Sequence, residues 1–553
     1  PLSDRVHSLA DIEAYPAVQL FLARVRAVLP DFQLTQDNAA DIAHICARLG
    51  GLPLALELAA VRLSALSPRQ LLDRLDDAIR PLTGGSRTGP TRQQTLHAAL
   101  DWSYNLLTPA ERTVFTRLAV FAGGCDLEAV ESVCAGDALA SADVFDPLAR
   151  LVEKSLVLLE SAGSGTRYRL LEPVRQYALQ RLTAQSDHAP AQDHHAAYYC
   201  ALAERMAPVL QGPEQLELFD RLEIDQENLR TALRYAVDHD RVERGLRLAL
   251  ALAPFWEGRS RLSEGRQWIE SLLACPSAGA LTPEIRAHAL LAAGRLAQWQ
   301  TELTVAECVL DRALALAETL NDQALVAESL VFLGAVRRRQ GNFDASAELL
   351  VQGLAIYRGV ENNHGIAVAL LTLGVTERYQ QRFARSVEHL EESLARFRQV
   401  GDPRWIAMTL GMLGSSLLSQ GNLARSARCI REALLLQHAV GDRAFSVYSL
   451  MDLAILLSSA RQPLPAARVL GAMHTLVVQV GVPLTKVSLG VTEQIVDSLR
   501  DQLTPVELVH ALDEGRALTI DGALAELTRA GHLPNVSPAA VVSATTALAP
   551  PAR

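Results

Sequence analysis

One pattern recurs along this chain at a spacing of 40 residues, and that period constrains the fold more than any other feature. Ala293-Gly294, Leu333-Gly334, Leu373-Gly374, Leu413-Gly414 and Leu453-Ala454 mark the same position in five successive copies. Leu314, Leu354, Leu394 and Leu434 keep the step, as do Gly341-Asn342-Phe343 and Gly421-Asn422-Leu423. The glycine or alanine lets two helices approach closely, the Gly-Asn turn reverses the chain, and the leucines fill the seam between neighbours. A lone hairpin of this kind cannot bury its apolar face. Stacking is obligatory, and residues 288–483 are expected to form an α-solenoid with a concave groove. An earlier copy around Trp256 and Trp268 is degenerate.

The unit resembles a tetratricopeptide repeat, which typically spans about 34 residues. Forty residues imply longer helices. A groove without catalytic chemistry of its own binds something. Within it, Arg337, Arg338 and Arg339 end the first helix of one copy and are candidates to grip a carboxylate or phosphate. A solvated helix end is the plainer reading of the same triplet.

The bulk numbers agree with a helical protein. Of 553 residues, 49% are hydrophobic and only 5% aromatic, with Ala, Leu and Arg dominating. At about 150 residues per domain the length suggests three or four units. A formal net charge of −10 opposes general affinity for nucleic acid or acidic membrane. Charges interrupt every apolar run short of the roughly 20 residues a membrane helix needs. Cys46, Cys125, Cys134, Cys200, Cys275, Cys308 and Cys429 are scattered without a C-x-x-C pair. They read as buried thiols of a reducing, cytoplasmic compartment.

Upstream of the repeats the chain changes character. Residues 1–85 read as helical, and the breaker cluster Thr83 to Pro90 reads as a linker. Residues 92–186 read as a winged helix. Thr108-Pro109-Ala110-Glu111 is a capping box with proline at the first helical position. Helices are expected at about 109–121, 126–135 and 143–154. A hairpin follows from Ser155–Glu160 and Arg167–Leu170, and a closing helix begins near Glu172. This segment holds nine basic against eleven acidic residues, a balance of −2. The helix before the wing, residues 143–154, carries three acids and two bases, which argues against DNA reading. Residues 194–287 read as a helical link containing the degenerate copy. A helical cap is expected at 484–533 and a disordered tail at 534–553.

Cys46 to Ala60 contains Gly50-Gly51-Leu52-Pro53-Leu54-Ala55, a glycine stop followed by a proline start. The run resembles the GLPLA motif of STAND-class nucleotide switches, which include NB-ARC proteins and the large LuxR-type and AfsR-type bacterial regulators. Asp101-Trp102-Ser103-Tyr104-Asn105-Leu106-Leu107, Arg117 to Gly124, Leu151 to Val157 and Arg167 to Ala178 agree with that family in order and spacing. The resemblance covers roughly the first third of the chain. It implies that Leu52 and Pro53 lie on the adenine side of bound ADP or ATP. It also implies a winged helix that packs on the switch, and a repeat domain acting as sensor, whose groove receives a protein partner or a small-molecule inducer.

The chain departs from the family in two places. A P-loop needs Gly-x-x-x-x-Gly-Lys-Ser/Thr, yet the only lysines are Lys154 and Lys486, and neither follows a glycine. No strand ending in paired acids precedes Gly51. Where many relatives carry Met-His-Asp, this chain has Leu170, Leu171 and Glu172. The expectation is a C-terminal portion of a STAND-type regulator without its phosphate-binding half. It would be no enzyme by itself, have no cofactor of its own and be capable of self-oligomerisation. A freestanding tetratricopeptide adaptor and a winged-helix DNA-binding regulator are the alternatives. His188, Asp193, His194 and His195 invite a metal reading, but adjacent helical residues point about 100° apart, so a solvated helix start is the simpler account.

Overall fold

Proline and Asp/Asn caps set where helices begin along most of this chain. The computed structural model describes residues 9–529 except 50, 80–90, 137–138, 163–164, 186 and 481–485. The expected linker and the tail from 534 lie outside the described residues. The chain divides into two compact units, residues 1–199 with 225–235, and residues 200–224 with 236–553.

The first unit opens with α1 (Leu9–Glu13), α2 (Pro16–Val28), α3 (Ala39–Arg48), α4 (Pro53–Ala60) and α5 (Pro68–Ile79). Phe21, Leu22, Val25, Ile42, Ile45 and Leu56 form their shared core. Next come α6 (Thr91–Asn105), α7 (Pro109–Arg117), α8 (Leu127–Cys134), α9 (Phe145–Glu153), the hairpin β1 (Leu158–Ala162) and β2 (Gly165–Arg169), and α10 (Glu172–Ala184). This is the winged-helix order read from sequence. The hairpin is antiparallel, with Leu158 opposite Arg169 and Glu160 opposite Arg167. It starts three residues later than expected. Ser155 takes a left-handed φ of 56° after α9, and its turn delays the strand. Helix α6 serves both halves: Ala99 and Trp102 enter the core of α2–α5, while Tyr104 packs against Phe115 and Tyr177.

Thr108 caps α7 reciprocally with Glu111, and Glu111, 1% exposed, also accepts from Lys154 Nζ at 2.6 Å. Helix α11 (His188–Met206) leaves the first unit for the second; α12 (Gln215–Ile224) and α13 (Gln226–Asp238) follow. The buried Asn228 amide accepts from Ala122 N at 2.8 Å and donates to Gly124 O at 2.8 Å.

In the second unit α14 (Val242–Gly258) and α15 (Leu262–Leu273) are the degenerate copy. Five hairpins follow: α16 (Pro283–Trp299) with α17 (Leu303–Leu320), α18 (Gln323–Arg339) with α19 (Phe343–Gly359), α20 (Asn363–Tyr379) with α21 (Phe383–Val400), α22 (Pro403–Ser419) with α23 (Leu423–Val440), and α24 (Arg443–Ser459) with α25 (Pro463–Val480). The repeating glycine does what the period requires. A Cβ on Gly294, Gly334, Gly374 or Gly414 would come within 2.6–2.8 Å of Leu310, Leu350, Leu390 or Ile430 respectively.

The backbone shows a finer period of 20. Left-handed residues fall at Thr301, Asn321, Gly341, Glu361, Gln381, Gly401, Gly421, Gly441 and Arg461. Asp322, Asn342, Asn362, Asp402, Asn422 and Asp442 each cap the helix that follows, accepting from the backbone three residues on. Helices α18, α19, α20, α22, α23 and α24 therefore restart by the same local device, whereas α17 and α21 begin at Glu302 and Arg382 without a side-chain cap. Helices α26 (Lys486–Arg500), α27 (Pro505–Arg516) and α28 (Ile520–Arg529) close the far end. Ile495, Leu499, Leu508 and Leu524 continue the core of α24 and α25. Gly471 and Gly515 bring α25 and α27 into backbone contact. Among the described residues no helix is long and apolar enough to cross a membrane.

Candidate ligand site in the repeat array

The two helices of each hairpin bury different amounts of surface. Helices α18, α20, α22 and α24 are buried on nearly every face, whereas α17, α19 and α21 bury a single stripe. The first helices therefore form the inner layer, and their polar residues point at one another rather than at bulk water. The last turns of α16, α18 and α20 place Gln298-Trp299, Arg338-Arg339 and Arg378-Tyr379 at one repeat position.

A charged network crosses this inner layer. Arg295 donates to Glu257 at 2.7 Å and to Glu328 at 2.7 Å, and Arg404 approaches Glu257 at 3.9 Å. The Glu257 and Arg404 side chains are only 3% and 8% exposed. Burial would lower the Arg295 guanidinium, but Glu257 and Glu328 more than reverse that and raise it. Asp402 is fully buried, and its Oδ1 accepts from Gln215 Nε2 at 3.3 Å. Its other oxygen has no partner and lies 4.0 Å from the equally unpartnered His364 Nε2. Burial raises the Asp402 carboxyl. Burial, helped by the Arg295 charge, pushes His364 down to about 4. Both groups thus favour neutrality, as a buried pair lacking good geometry should.

Aromatic rings and arginines line the same layer. Trp299 meets Phe445 edge-on at 5.9 Å, and Phe445 lies 6.1 Å from Tyr448. Arg404 and Arg339 sit over Trp299 at 5.9 and 5.7 Å. Arg338 and Arg378 both sit over Tyr379, at 5.8 and 5.1 Å. Buried polar atoms without a hydrogen-bond partner concentrate here: Trp299 Nε1, Arg338 Nε, Arg378 Nε and Arg404 Nε join the His364 and Asp402 atoms. Water or a ligand entering the layer can satisfy such atoms.

The structure divides the arginine triplet read from sequence. Arg337 pairs with Glu307 at 2.6 Å. Arg339 donates to the Gln298 carbonyl at 2.7 Å. Arg338 joins Arg378, which no linear motif marks. The repeat register was the signal, because Arg378 stands one 40-residue step after Arg338.

The other sequence candidates are placed as follows. Gly51 takes a φ of +65°, and its N–H reaches Cys46 O at 3.1 Å, so the helix stop lies at this glycine. Leu52 caps α4 and packs half-buried on the α2–α5 core, while Pro53 is exposed at the first helical position. His194 is exposed. His195 is 1% exposed, lies 3.4 Å from Asn228 Oδ1, and is pushed by burial down to about 4. The two histidines face different surroundings, and no metal-holding group of three ligand-type residues occurs among the described residues.

The cysteine expectation needs correction. Cys46, Cys125, Cys134 and Cys200 are buried, but Cys275 and Cys429 are half-buried and Cys308 is exposed on the outward side of α17. On the winged helix, the exposed residues of α9 and the turn before it include Asp143, Phe145, Asp146 and Arg150, while Lys154 is spent on Glu111. A cleft of about 240 Å³ lies in the first unit between Phe121, Gly123, Gly124, Tyr168, Glu172 and Arg175. There Arg175 pairs with Glu172 at 2.9 Å and holds that carboxylate below its usual range.

A winged helix-turn-helix family model matches residues 107–183, and a tetratricopeptide repeat model matches residues 365–434. The chain is thus mainly α-helical, with a winged helix followed by a tetratricopeptide-like solenoid. A Mycobacterium tuberculosis (strain H37Rv) protein provisionally named an HTH-type transcriptional regulator is 40% identical over 324 residues, 58% of this chain and 36% of its own length. An uncharacterised protein of the same strain is 42% identical over 168 residues, 30% of this chain and 43% of its own. The chain therefore spans well under half the length of these curated relatives. Among solved structures, a Pyrococcus horikoshii Signal Transduction ATPase with Numerous Domains protein bearing a tetratricopeptide repeat sensor gives a TM-score of 0.49 at 11% identity. The match covers 94% of this chain and 75% of that one.

Proposed function

We propose that the chain is the sensing and coupling portion of a transcriptional regulator. In this reading the inner layer of the array receives an inducer or protein partner. The winged helix and the α2–α5 module transmit that event to an ATP-binding switch. Leu52 and Pro53 would then face the adenine ring. ADP or ATP belongs to the switch, since neither lysine of this chain follows a glycine as a phosphate-binding loop requires.

The observation that carries the reading is the inner layer itself: buried indole, guanidinium, imidazole and carboxyl atoms left without partners between aromatic rings. A ligand entering the layer supplies partners for them. The winged helix is assigned to coupling rather than DNA reading because its exposed α9 surface is acidic and aromatic and one of its two bases is already paired.

Deleting the gene and restoring it with Tyr448→Ala in the array tests the proposal. The expected result is a defined set of transcripts that changes on deletion, with the restored variant failing to respond to the condition that induces them. An unchanged transcript profile after deletion refutes regulation. A gel shift at low salt with tight binding by residues 91–184 refutes the coupling role.

A further inference from the structure

Three guanidinium groups come together in the array, and among the described residues none of them forms an ion pair. They belong to Arg338, Arg339 and Arg378, whereas neighbouring Arg295, Arg337 and Arg404 each approach a glutamate. Cations at helix C-termini are often placed to meet the last carbonyls. That accounts for Arg339, which donates to Gln298 O. It does not account for the other two. The Nε atoms of Arg338 and Arg378 are buried without a hydrogen bond, and both groups lie over the ring of Tyr379. Tyr379 is itself stacked on Phe343 at 5.5 Å and an interplanar angle of 10°, so the ring is a fixed platform.

The electrostatics agree with a positive hole. Burial, reinforced by the like charges of Arg339 and Arg378, lowers the Arg338 guanidinium to about 10, although the charge of an ionised Tyr379 hydroxyl would raise it. It remains cationic at neutral pH. Asp452 is the acid in the field of Arg378, but its carboxyl is engaged by the Ser415 hydroxyl. Two planar donor forks on one aromatic ring, lacking a counter-ion, match the geometry that oxyanions select.

We propose that Arg338 and Arg378 seat the oxyanion of a small organic ligand, a phosphate or a carboxylate, with Tyr379 beneath it and the Trp299–Phe445–Tyr448 wall for its body. The proposal rests on the reading that the array receives a ligand, and it names that ligand's chemical class. Arg337, already paired with Glu307, plays no part.

Isothermal titration of the full chain with inorganic phosphate and, separately, with benzoate tests this. At least one probe should bind saturably with a millimolar or tighter Kd. Phosphate binding alone assigns a phosphorylated ligand, and benzoate binding alone assigns a carboxylate. Arg378→Gln and Arg338→Gln should each weaken binding about tenfold or more, while Arg337→Gln binds as the wild type does. Without anion, Arg378→Gln should melt at the same temperature as wild type or higher, because a guanidinium with no ion pair and a buried, unbonded Nε is gone. Failure of both probes to bind overturns the proposal. So does an equal loss in Arg337→Gln, or a clear drop in the anion-free melting temperature of Arg378→Gln. Should neither probe bind while Tyr448→Ala still abolishes the transcript response, the ligand class is wrong and the sensor stands. Should a probe bind as described while deletion leaves transcripts unchanged, the site stands and the regulatory reading falls.

Discussion

Replacing Asp452 with asparagine should make this protein more stable at neutral pH, and the gain should vanish in acid. Asp452 sits on α24 with 9% of its surface exposed and accepts from the Ser415 hydroxyl. Burial pushes its carboxyl up to about 6, although Ser415 and the Arg378 charge pull the other way. A raised carboxyl holds its proton more tightly in the folded state than in the unfolded chain. Its favourable contribution is complete below the unfolded value and is lost as pH rises through the folded one. The displacement is about two pH units, and each is worth about 1.4 kcal/mol, so the ionised carboxylate costs the fold ~3 kcal/mol near pH 7.5. Asparagine keeps an acceptor for Ser415 and carries no charge.

Urea unfolding followed by tryptophan fluorescence reads mainly the second unit, because Trp256, Trp268, Trp299 and Trp405 lie there and only Trp102 lies in the first. The expected result is near-equal stability of Asp452→Asn and wild type at pH 4. By pH 7.5 the variant should lead by 1–3 kcal/mol, on the order of the linkage figure. Asp402 and Asp442 are also raised by burial, but they titrate in both proteins and cancel in the difference. A gap that is constant across pH, or that favours wild type at pH 7.5, refutes the reasoning.

Backbone, ion-pair and thiol predictions can be checked on the same material. Glu361, exposed with a φ of 53°, occupies a turn that prefers glycine. Glu361→Gly should raise stability by about 1 kcal/mol, and Gly421→Ala, at a φ of 80°, should lower it by a similar amount, both read by thermal melting. Burial opposes ionisation of Glu111, but Lys154 and Thr108 outweigh it and hold the carboxyl below its usual value. Its contribution is present above the unfolded carboxylate value and lost as pH falls through the folded one. Glu111→Ala should destabilise the first unit by about 2–4 kcal/mol at pH 7 and by less in acid, measured by urea unfolding with Trp102 as probe in a background where Trp256, Trp268, Trp299 and Trp405 are replaced by phenylalanine. Cys308 is exposed while the Cys46 and Cys134 thiols are pushed by burial to about 12. A thiol reagent should label one cysteine rapidly in the native protein, and Cys308→Ser should remove that fast phase.

The hairpin array was legible because glycine and leucine recur at a step long enough to hold two helices. Its finer 20-residue rhythm was hidden. Thr301, Asn321, Glu361, Gln381 and Arg461 adopt left-handed turns without being glycine, so a reading based on glycine breakers finds only 341, 401, 421 and 441. Tertiary stacking holds those five turns against their local preference. The capping box at Thr108 was legible because both of its bonds span three residues. Arg338 was found within a run of three arginines. Arg378 was missed because it stands alone among Thr376, Glu377 and Tyr379, and only the stacking of α18 on α20 brings the two together. The Asp402–His364 contact joins residues 38 apart through folding, and no local pattern announces it.

A crystal of the full chain soaked in tungstate, a heavy tetrahedral oxyanion, would test the inner layer most directly through its anomalous signal. The expected result is a peak between the Arg338 and Arg378 guanidiniums above Tyr379, with α16, α18, α20, α22 and α24 as the inner helices. A map with tungstate only on outer arginines, or with Arg338 and Arg378 turned to solvent or paired to carboxylates, would contradict the assignment.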